Sequence, residues 1–120
     1  MSFNILLVDD SATTRGVMKK IFRLANVPIE ELHEASNGRE ALDMLKEHWI
    51  DVVFTDINMP VMDGVELVER MSQDGLLKTV PVVMVTIEGS TTRLDQLRSK
   101  GVSAFIRKPF TPEIIQNVLN

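Results

Sequence analysis

Short apolar runs alternate with helical patterns along the whole chain, and this alternation restricts the possible folds more than any other feature. The apolar runs lie at residues 3–8, 32–35, 52–55, 80–86 and 104–106. Four of the five are continuous rather than alternating, which is typical of strands buried on both faces. The run at 32–35 lies in the alternating stretch Glu-Leu-His-Glu-Ala and therefore predicts an edge strand.

Between these runs, apolar residues recur at helical spacing. They are Val17, Ile21, Leu24 and Ala25 with Met18 and Phe22; Ala41, Leu42 and Leu45; Val65, Val68 and Met71; Leu94 and Leu97; and Ile114, Ile115, Val118 and Leu119. Thr111 before Pro112 predicts an N-cap followed by proline at the first helical position. Strand and helix alternating five times predict an α/β fold, a doubly wound parallel sheet with helices on both faces.

Size and charge exclude several classes of function. A chain of 120 residues predicts one domain spanning 1–120. The net charge of −4 argues against nonspecific nucleic-acid binding, and the lack of cysteine excludes disulfides and cysteine-based zinc sites. The first apolar run is too short for a signal peptide or a membrane span. We therefore expect a cytoplasmic protein without nucleic-acid or membrane partners.

Charged side chains follow three of the predicted strands. Asp9 and Asp10 come after the first strand, Asp56 ends the third, and Lys108 follows the fifth. Because the carboxyl ends of parallel strands lie along one edge, where ligands of such sheets bind, we expect these groups to meet. Thr86 ends the fourth strand and brings a hydroxyl to the same edge.

Three adjacent carboxylates require compensation of their charge. Two like charges about 4 Å apart repel by roughly 4 kcal/mol at an effective dielectric near 20. Lys108 offers one positive charge, so a hard dication with oxygen ligands, best Mg²⁺, is expected to supply the remainder. Beside such a cation, Asp56 is suited to accept a phosphoryl group, with Thr86 and Lys108 contacting phosphoryl oxygens.

Each of these residues also has a simpler interpretation. One aspartate of the first pair suits a helix N-cap, and Asp56 suits a turn. Thr86 alone would be an ordinary β-branched residue at a strand end, and Lys108 a solvated lysine before a proline. The convergence of four strand ends on one chemistry favours a functional site.

Four motifs together resemble the receiver domains of two-component signalling, of the single-domain CheY-like chemotaxis regulator type. They are LLVDDS at 6–11, FTDINMPVMDG at 54–64, VMVT at 83–86 and KPF at 108–110. The resemblance covers nearly the whole chain. It implies a flavodoxin-like sheet of five strands in the order 2-1-3-4-5 with five helices.

The resemblance implies a role for each acidic residue. Asp56 corresponds to the phosphoacceptor, which a histidine kinase charges in a Mg²⁺-dependent reaction. Asp9 and Asp10 correspond to the pair that holds Mg²⁺. Asn58 stands where a backbone carbonyl completes the metal shell.

The resemblance also implies a conformational switch. Thr86 and Lys108 correspond to the pair that senses the phosphoryl oxygens. Phe105 stands where the family has an aromatic residue that moves inward on activation, although phenylalanine offers no hydroxyl to a partner. The surface of the fourth helix, fifth strand and fifth helix would then bind a downstream protein.

Three positions are expected to tune the rates of the site: Asn58, Ile87 and Glu88. Ile87 is bulky where the family usually has a small residue, so it is expected to alter rates of phosphorylation or dephosphorylation. Asn58 and Glu88 match a pairing that influences dephosphorylation in chemotaxis regulators. Pro109 follows the lysine as in the family, where that peptide bond is commonly cis.

The sequence is also compatible with two alternatives. A degenerate receiver would act as a phosphorylation-independent interaction module. An aspartyl-phosphate phosphatase is less favoured, because Asp56-Ile57-Asn58 lacks the second carboxylate that such an enzyme needs as acid and base. The chain is therefore expected not to be an enzyme beyond its own phosphorylation and dephosphorylation.

The remaining ring-bearing polar residues carry weaker signals. His33 and His48 lack the sequence spacing of metal ligands and are interpreted as surface or packing residues. Trp49, before the third strand, is predicted to pack against the protein.

Overall fold

The computed structural model describes residues 2–86, 91–108 and 110–119. Strands and helices alternate as the apolar runs predict. In chain order the elements are β1 (Phe3–Val8), α1 (Ala12–Leu24), β2 (Ile29–Ala35), α2 (Gly38–Glu47), β3 (Val52–Thr55), α3 (Gly64–Gln73), a 3-10 turn (Leu76–Lys78), β4 (Val82–Thr86), α4 (Thr91–Ser99), β5 (Ala104–Arg107) and α5 (Pro112–Leu119).

The five strands form one parallel sheet in the order β2-β1-β3-β4-β5, so the expected fold class is confirmed. The strand order reverses its direction at β1, which pairs with β2 on one side and β3 on the other. In doubly wound sheets, ligands bind beyond the carboxyl ends of the strands at such a switch point. A ligand site is therefore expected at the residues that follow Val8 and Thr55.

Two apolar layers cover the sheet. The layer beneath α2 and α3 includes Leu6, Val53 and Met84. The opposite layer, beneath α1 and α5, includes alternate strand residues such as Ile5, Leu7 and Phe54. Because β1 and β3 contribute to both layers, their apolar runs are continuous, as a doubly covered sheet requires.

β2 is an edge strand, as its alternating pattern predicts. It begins at Ile29, three residues before the predicted run. The apolar pattern misses these first residues because two of them are exposed glutamates. β4 begins at Val82 rather than residue 80. Pro81 precedes it and contributes only its carbonyl, which accepts a hydrogen bond from the N–H of Val53 at 3.0 Å.

The buried stripe of α1 is narrower than the predicted one. Met18, Phe22 and Ala25 are buried, whereas Val17 is 53% exposed and Leu24 is 62% exposed. All of these positions have helical spacing, and consecutive ones lie about 100° apart around the helix, so periodicity alone cannot tell which of them are buried. The choice follows from tertiary packing, because Phe22 meets Phe54 edge to face at a ring separation of 5.0 Å.

The prediction that Trp49 packs against the protein is wrong. It is 79% exposed rather than packed, and its indole N–H donates a hydrogen bond to Asp51 Oδ1 at 3.0 Å. Thr111 behaves as predicted at the start of α5, where its hydroxyl oxygen accepts a hydrogen bond from the N–H of Ile114 at 3.4 Å.

Candidate functional site

Parallel pairing of β1 with β3 brings two carboxylates side by side. Val8 pairs with Thr55, and the N–H of Asp56 donates to the carbonyl oxygen of Val8 at 2.9 Å. Asp9 and Asp56 therefore leave neighbouring strands at the same level. Carboxylate oxygens of Asp9, Asp10 and Asp56 all lie within 4.8 Å of one another, so the predicted acidic cluster forms.

The two aspartates after β1 have different surroundings. Asp9 is only 3% exposed, and its Oδ1 accepts a hydrogen bond from the N–H of Ser11 at 2.9 Å. Ser11, rather than either aspartate, is the N-cap of α1, because its hydroxyl accepts from the N–H of Thr14. Asp10 is exposed at the mouth of the site. The simpler N-cap interpretation therefore does not account for the pair.

Lys108 supplies the positive charge that the sequence predicts. Its backbone N–H donates to the carbonyl oxygen of Thr86 at 3.0 Å, which fixes the residue just beyond β5. Its Nζ lies 3.2 Å from Asp9 Oδ2 and 3.6 Å from Asp56 Oδ2. The ammonium thus bridges the two innermost carboxylates.

The environment of Asp56 disfavours its ionised form. Burial raises the pKa of this carboxyl above its ordinary value, and the charge of Asp9 acts in the same direction. The ammonium of Lys108 and the N–H of Ile57, which donates to Asp56 Oδ1 at 2.7 Å, only partly offset this increase in pKa. Additional positive charge nearby would therefore favour the ionised form of Asp56.

The loop after Asp56 is held by close backbone packing. A side chain at Gly64 would place its Cβ 2.3 Å from the Asp56 carbonyl oxygen. The N–H of Gly64 donates to the Ile57 carbonyl at 2.7 Å, and Asp63 caps α3 by accepting from the N–H of Glu66. Only glycine allows α3 to begin this close to Asp56.

The opposite side of this loop is held by α2. The N–H of Gly38 donates to the carbonyl oxygen of Met62 at 2.8 Å, and a Cβ at Gly38 would lie 2.8 Å from the Met62 side chain. Between these anchors, Val61 has a positive φ of 68° and is 82% exposed. Such a backbone is unfavourable for a β-branched residue, so the anchors must hold the loop in place.

The other predicted site residues differ in how deeply they are buried. Thr86 is buried at the end of β4, with 3% exposure. Asn58 is exposed in the loop after Asp56. Phe105 is half-buried on β5, and the guanidinium of Arg98 lies 5.0 Å from its ring centroid. Ile87, Glu88 and Pro109 lie outside the described residues.

Arg15 is a site residue that the sequence analysis misses. Its guanidinium donates to the Asp9 carbonyl oxygen at 2.5 Å and, through Nε, to Glu34 Oε1 at 2.9 Å. Glu34 also pairs with Lys19 at 3.1 Å. Arg15 lies one turn after Ser11 and meets Glu34 only because β2 pairs with β1, so the chain offers no local signal for it.

The donor set fits a hard divalent cation. Within the part of the chain that the structure describes, three converging carboxylates face the ammonium of Lys108, which by itself leaves two formal negative charges uncompensated. Arg15 and Lys19 share the single carboxylate of Glu34, so this neighbouring group adds one net positive charge and one formal negative charge of the cluster remains. Oxygen-only donors with excess negative charge are the ligands that Mg²⁺ and Ca²⁺ prefer.

Comparison with known proteins identifies the family. The chain matches the family model of the response regulator receiver domain over residues 5–120. It is 36% identical over 116 residues to the chemotaxis protein CheY1 of Helicobacter pylori, covering 96% of this chain and 92% of that protein. The chain therefore belongs to the response regulator receiver domains of two-component signal transduction and is homologous to the CheY regulators.

Solved structures agree with this assignment. The chemotaxis protein CheY4 of Vibrio cholerae has a TM-score of 0.85 and 32% identity, covering 99% of this chain and 97% of that one. CheY of Borrelia burgdorferi, solved as a CheX–CheY–BeF₃–Mg²⁺ complex, has a TM-score of 0.85 and 31% identity, covering 98% and 86%. This membership does not favour the phosphorylation-independent alternative.

Among the helices of the described residues, none is long and apolar enough to span a membrane.

Replacing Gly64 with alanine should disturb Asp56 through the backbone. We expect Gly64→Ala to lower the free energy of unfolding by about 1–3 kcal/mol, because the new Cβ must displace the Asp56 carbonyl. Gly16→Ala is the matched control, since nothing lies within 4 Å of a Cβ there, and it should raise stability by about 0.5–1 kcal/mol. Urea denaturation of both variants checks this, and equal effects would refute the packing argument.

Neutralising Asp56 should stabilise the metal-free protein. We expect Asp56→Asn to raise the free energy of unfolding at neutral pH, because it removes a carboxylate that burial and Asp9 disfavour. Since the folded state holds this proton more tightly than the unfolded chain, wild type should recover relative stability as pH falls through the raised pKa. Thermal unfolding in chelator-treated buffer measures this, with Asp43→Asn on the exposed face of α2 as control. A loss of stability in Asp56→Asn would contradict it.

Proposed function

We propose that Asp56 accepts a phosphoryl group from a histidine kinase and that this modification controls a binding surface of the protein. One observation carries the proposal: the carboxylate of Asp56 faces an ammonium and two further carboxylates at the carboxyl edge of the sheet. Neither an isolated turn aspartate nor a structural ion pair requires this arrangement. The family membership supports the same chemistry.

The residues present suit phosphoryl transfer. An oxygen of Asp56 forms a bond to phosphorus while the phosphorus–nitrogen bond to the donor imidazole breaks, and the imidazole leaves with the electron pair. Charge spreads over the phosphoryl oxygens in the loose transition state, so catalysis depends on positioning and charge neutralisation. Lys108, 3.6 Å from Asp56 Oδ2, is placed to neutralise one of these oxygens. Hydrolysis by water later returns Asp56 and inorganic phosphate.

Mg²⁺ is the proposed cofactor of this site. Asp9, Asp10 and Asp56 would hold it, with the backbone carbonyl of Asn58 as a further ligand. When bound, Mg²⁺ would supply positive charge that offsets the negative charge of the phosphoryl group and of the carboxylates. The raised pKa of Asp56 supports this assignment, because positive charge nearby would restore the ionised nucleophile.

The proposed switch links Asp56 to the far side of β4 and β5. Thr86 ends β4, and Met84 of the same strand pairs with Phe105 of β5. A phosphoryl group on Asp56 would draw the Thr86 hydroxyl toward it, and Phe105 would move inward from its half-buried position. The ring would then leave the guanidinium of Arg98 on α4, which changes the surface formed by α4, β5 and α5.

The identity of the partners rests on the relatives. Several are named chemotaxis proteins, and one structure pairs a receiver with CheX. We therefore propose a downstream protein target on the surface of α4, β5 and α5, and chemotaxis as the pathway. Rate tuning by Asn58, Ile87 and Glu88, self-catalysed phosphorylation and dephosphorylation, and a cytoplasmic location belong to the same proposal.

Phosphoryl labelling tests the acceptor directly. Incubation with a small phosphodonor such as acetyl phosphate and Mg²⁺ should add one phosphoryl group to the wild-type chain in intact-mass spectra. Asp56→Asn should abolish this addition. Asp63→Asn is the matched control in the same loop, because asparagine also caps helices, and it should label normally. Labelling that persists in Asp56→Asn would assign the acceptor to another residue.

Mg²⁺ affinity tests the acidic pair. We expect Asp10→Asn to weaken Mg²⁺ binding roughly tenfold, about 1.4 kcal/mol, because it removes one ligand charge without disturbing the buried core. Titration followed by amide NMR shifts of Asp9 and Asp56 measures the affinity, with Asp43→Asn as control. Unchanged affinity in Asp10→Asn would contradict its role as a ligand.

A further inference from the structure

A second group of potential metal ligands lies away from the acidic site. Side-chain ligand atoms of Glu31, His33 and His48 lie within 4.8 Å of one another. Glu31 and His33 belong to β2, and His48 is the C-cap residue of α2. His48 lies 15 or more positions after the other two residues, so the sequence spacing does not indicate this group.

The fold places this group within β2 and at the end of α2, away from the carboxyl edge of the sheet. Glu31 and His33 pair with Asn4 and Leu6 of β1, whereas the acidic site begins only after Val8. They are two residues apart and share one face of the strand. That face is the one covered by α2, because Leu6 lies in the layer beneath α2 and α3. The end of α2 therefore delivers His48 to the edge strand.

The contacts within the group are close. His33 Nε2 lies 3.0 Å from Glu31 Oε1, and the rings of His33 and His48 stack with centroids 4.0 Å apart and planes 24° apart. A further carboxylate oxygen, of Glu47, lies 4.0 Å from His48 Nε2. The His33 side chain is 17% exposed, His48 37% and Glu31 59%, so the group opens to solvent on one side.

We propose that Glu31, His33 and His48 form a binding site for a transition-metal cation of the Zn²⁺ class. Two imidazoles and one carboxylate are a recognised zinc ligand set, and they leave the fourth tetrahedral position to water. Nitrogen donors distinguish this site from the acidic cluster, whose oxygens suit Mg²⁺. The two sites therefore select different metals.

The rearrangement required for binding is small. Zinc–nitrogen bonds of about 2.0–2.1 Å place two tetrahedral ligand nitrogens about 3.3 Å apart. The ligand atoms already lie within 4.8 Å, and His48 stands beyond the last turn of α2 with an extended backbone, at φ −131° and ψ 152°. Rotation of its partly exposed ring out of the stack completes the geometry. The bound metal links the edge strand β2 to the end of α2.

A Zn²⁺ titration tests the proposal on the full chain without a polyhistidine tag. Excess Mg²⁺ occupies the acidic cluster, and the imidazole nitrogens are followed by NMR. The chain has two histidines, so each ring system is assigned by substitution. We expect both rings to shift together, to saturate at one Zn²⁺ per chain, and to bind in the micromolar range.

Variants decide whether the named residues hold the metal. His48→Gln should weaken Zn²⁺ binding at least tenfold, and Glu31→Gln should weaken it to a smaller degree. Glu30→Gln is the matched control, because it removes the same charge one residue away but outside the converging group. Asp10→Asn, in the acidic cluster, should also leave Zn²⁺ affinity unchanged.

Three results would overturn the proposal: a shift of one ring alone, Zn²⁺ binding that His48→Gln leaves intact, or affinity no better than millimolar. Circular dichroism of each variant confirms that it is folded. Since His48 and Glu31 are exposed, loss of binding in a folded variant reports on the site itself. The result is independent of phosphorylation at Asp56.

Discussion

The pairing of β1 with β3 is the constraint on which the site depends. Once Val8 lies opposite Thr55, the next residue of each strand must emerge at the same edge, and both are aspartates. The strands cannot place these charges elsewhere, because Leu6, Leu7, Val53 and their neighbours are buried on both faces of the sheet. The apolar core and the acidic cluster are thus two consequences of one parallel pairing.

The cluster in turn explains the tight packing around it. Carboxylates that repel one another would separate if the backbone allowed it, and here the backbone does not. Gly64 brings α3 against the Asp56 carbonyl, and Gly38 ties Met62 to α2. Lys108 is positioned by a hydrogen bond to the last residue of β4 and not by the carboxylates alone. A rigid frame therefore keeps negative charge concentrated, which is what binding a dication and a phosphoryl group requires.

The sequence predicts the position of a side chain correctly where that position depends only on the end of one strand. Asp9, Asp10, Asp56 and Lys108 each follow an apolar run, so parallel topology alone predicts that they meet. Such a prediction fails where two elements must first be docked. The stripe of α1 is ambiguous until Phe22 meets Phe54, and Arg15 has no partner until β2 pairs with β1. Trp49 is an apolar residue at a loop, where nothing in the local pattern indicates exposure.

The stack of His33 on His48 is the clearest case of information held only by the fold. Neither residue carries a periodic or motif signal, yet an edge strand and a helix end bring their rings to 4.0 Å. Donor chemistry then separates the two sites: oxygen donors with excess negative charge at the carboxyl edge of the sheet, and nitrogen donors with one carboxylate away from that edge. Because hard and borderline cations prefer different donors, the protein can distinguish between them without any contact between the two sites.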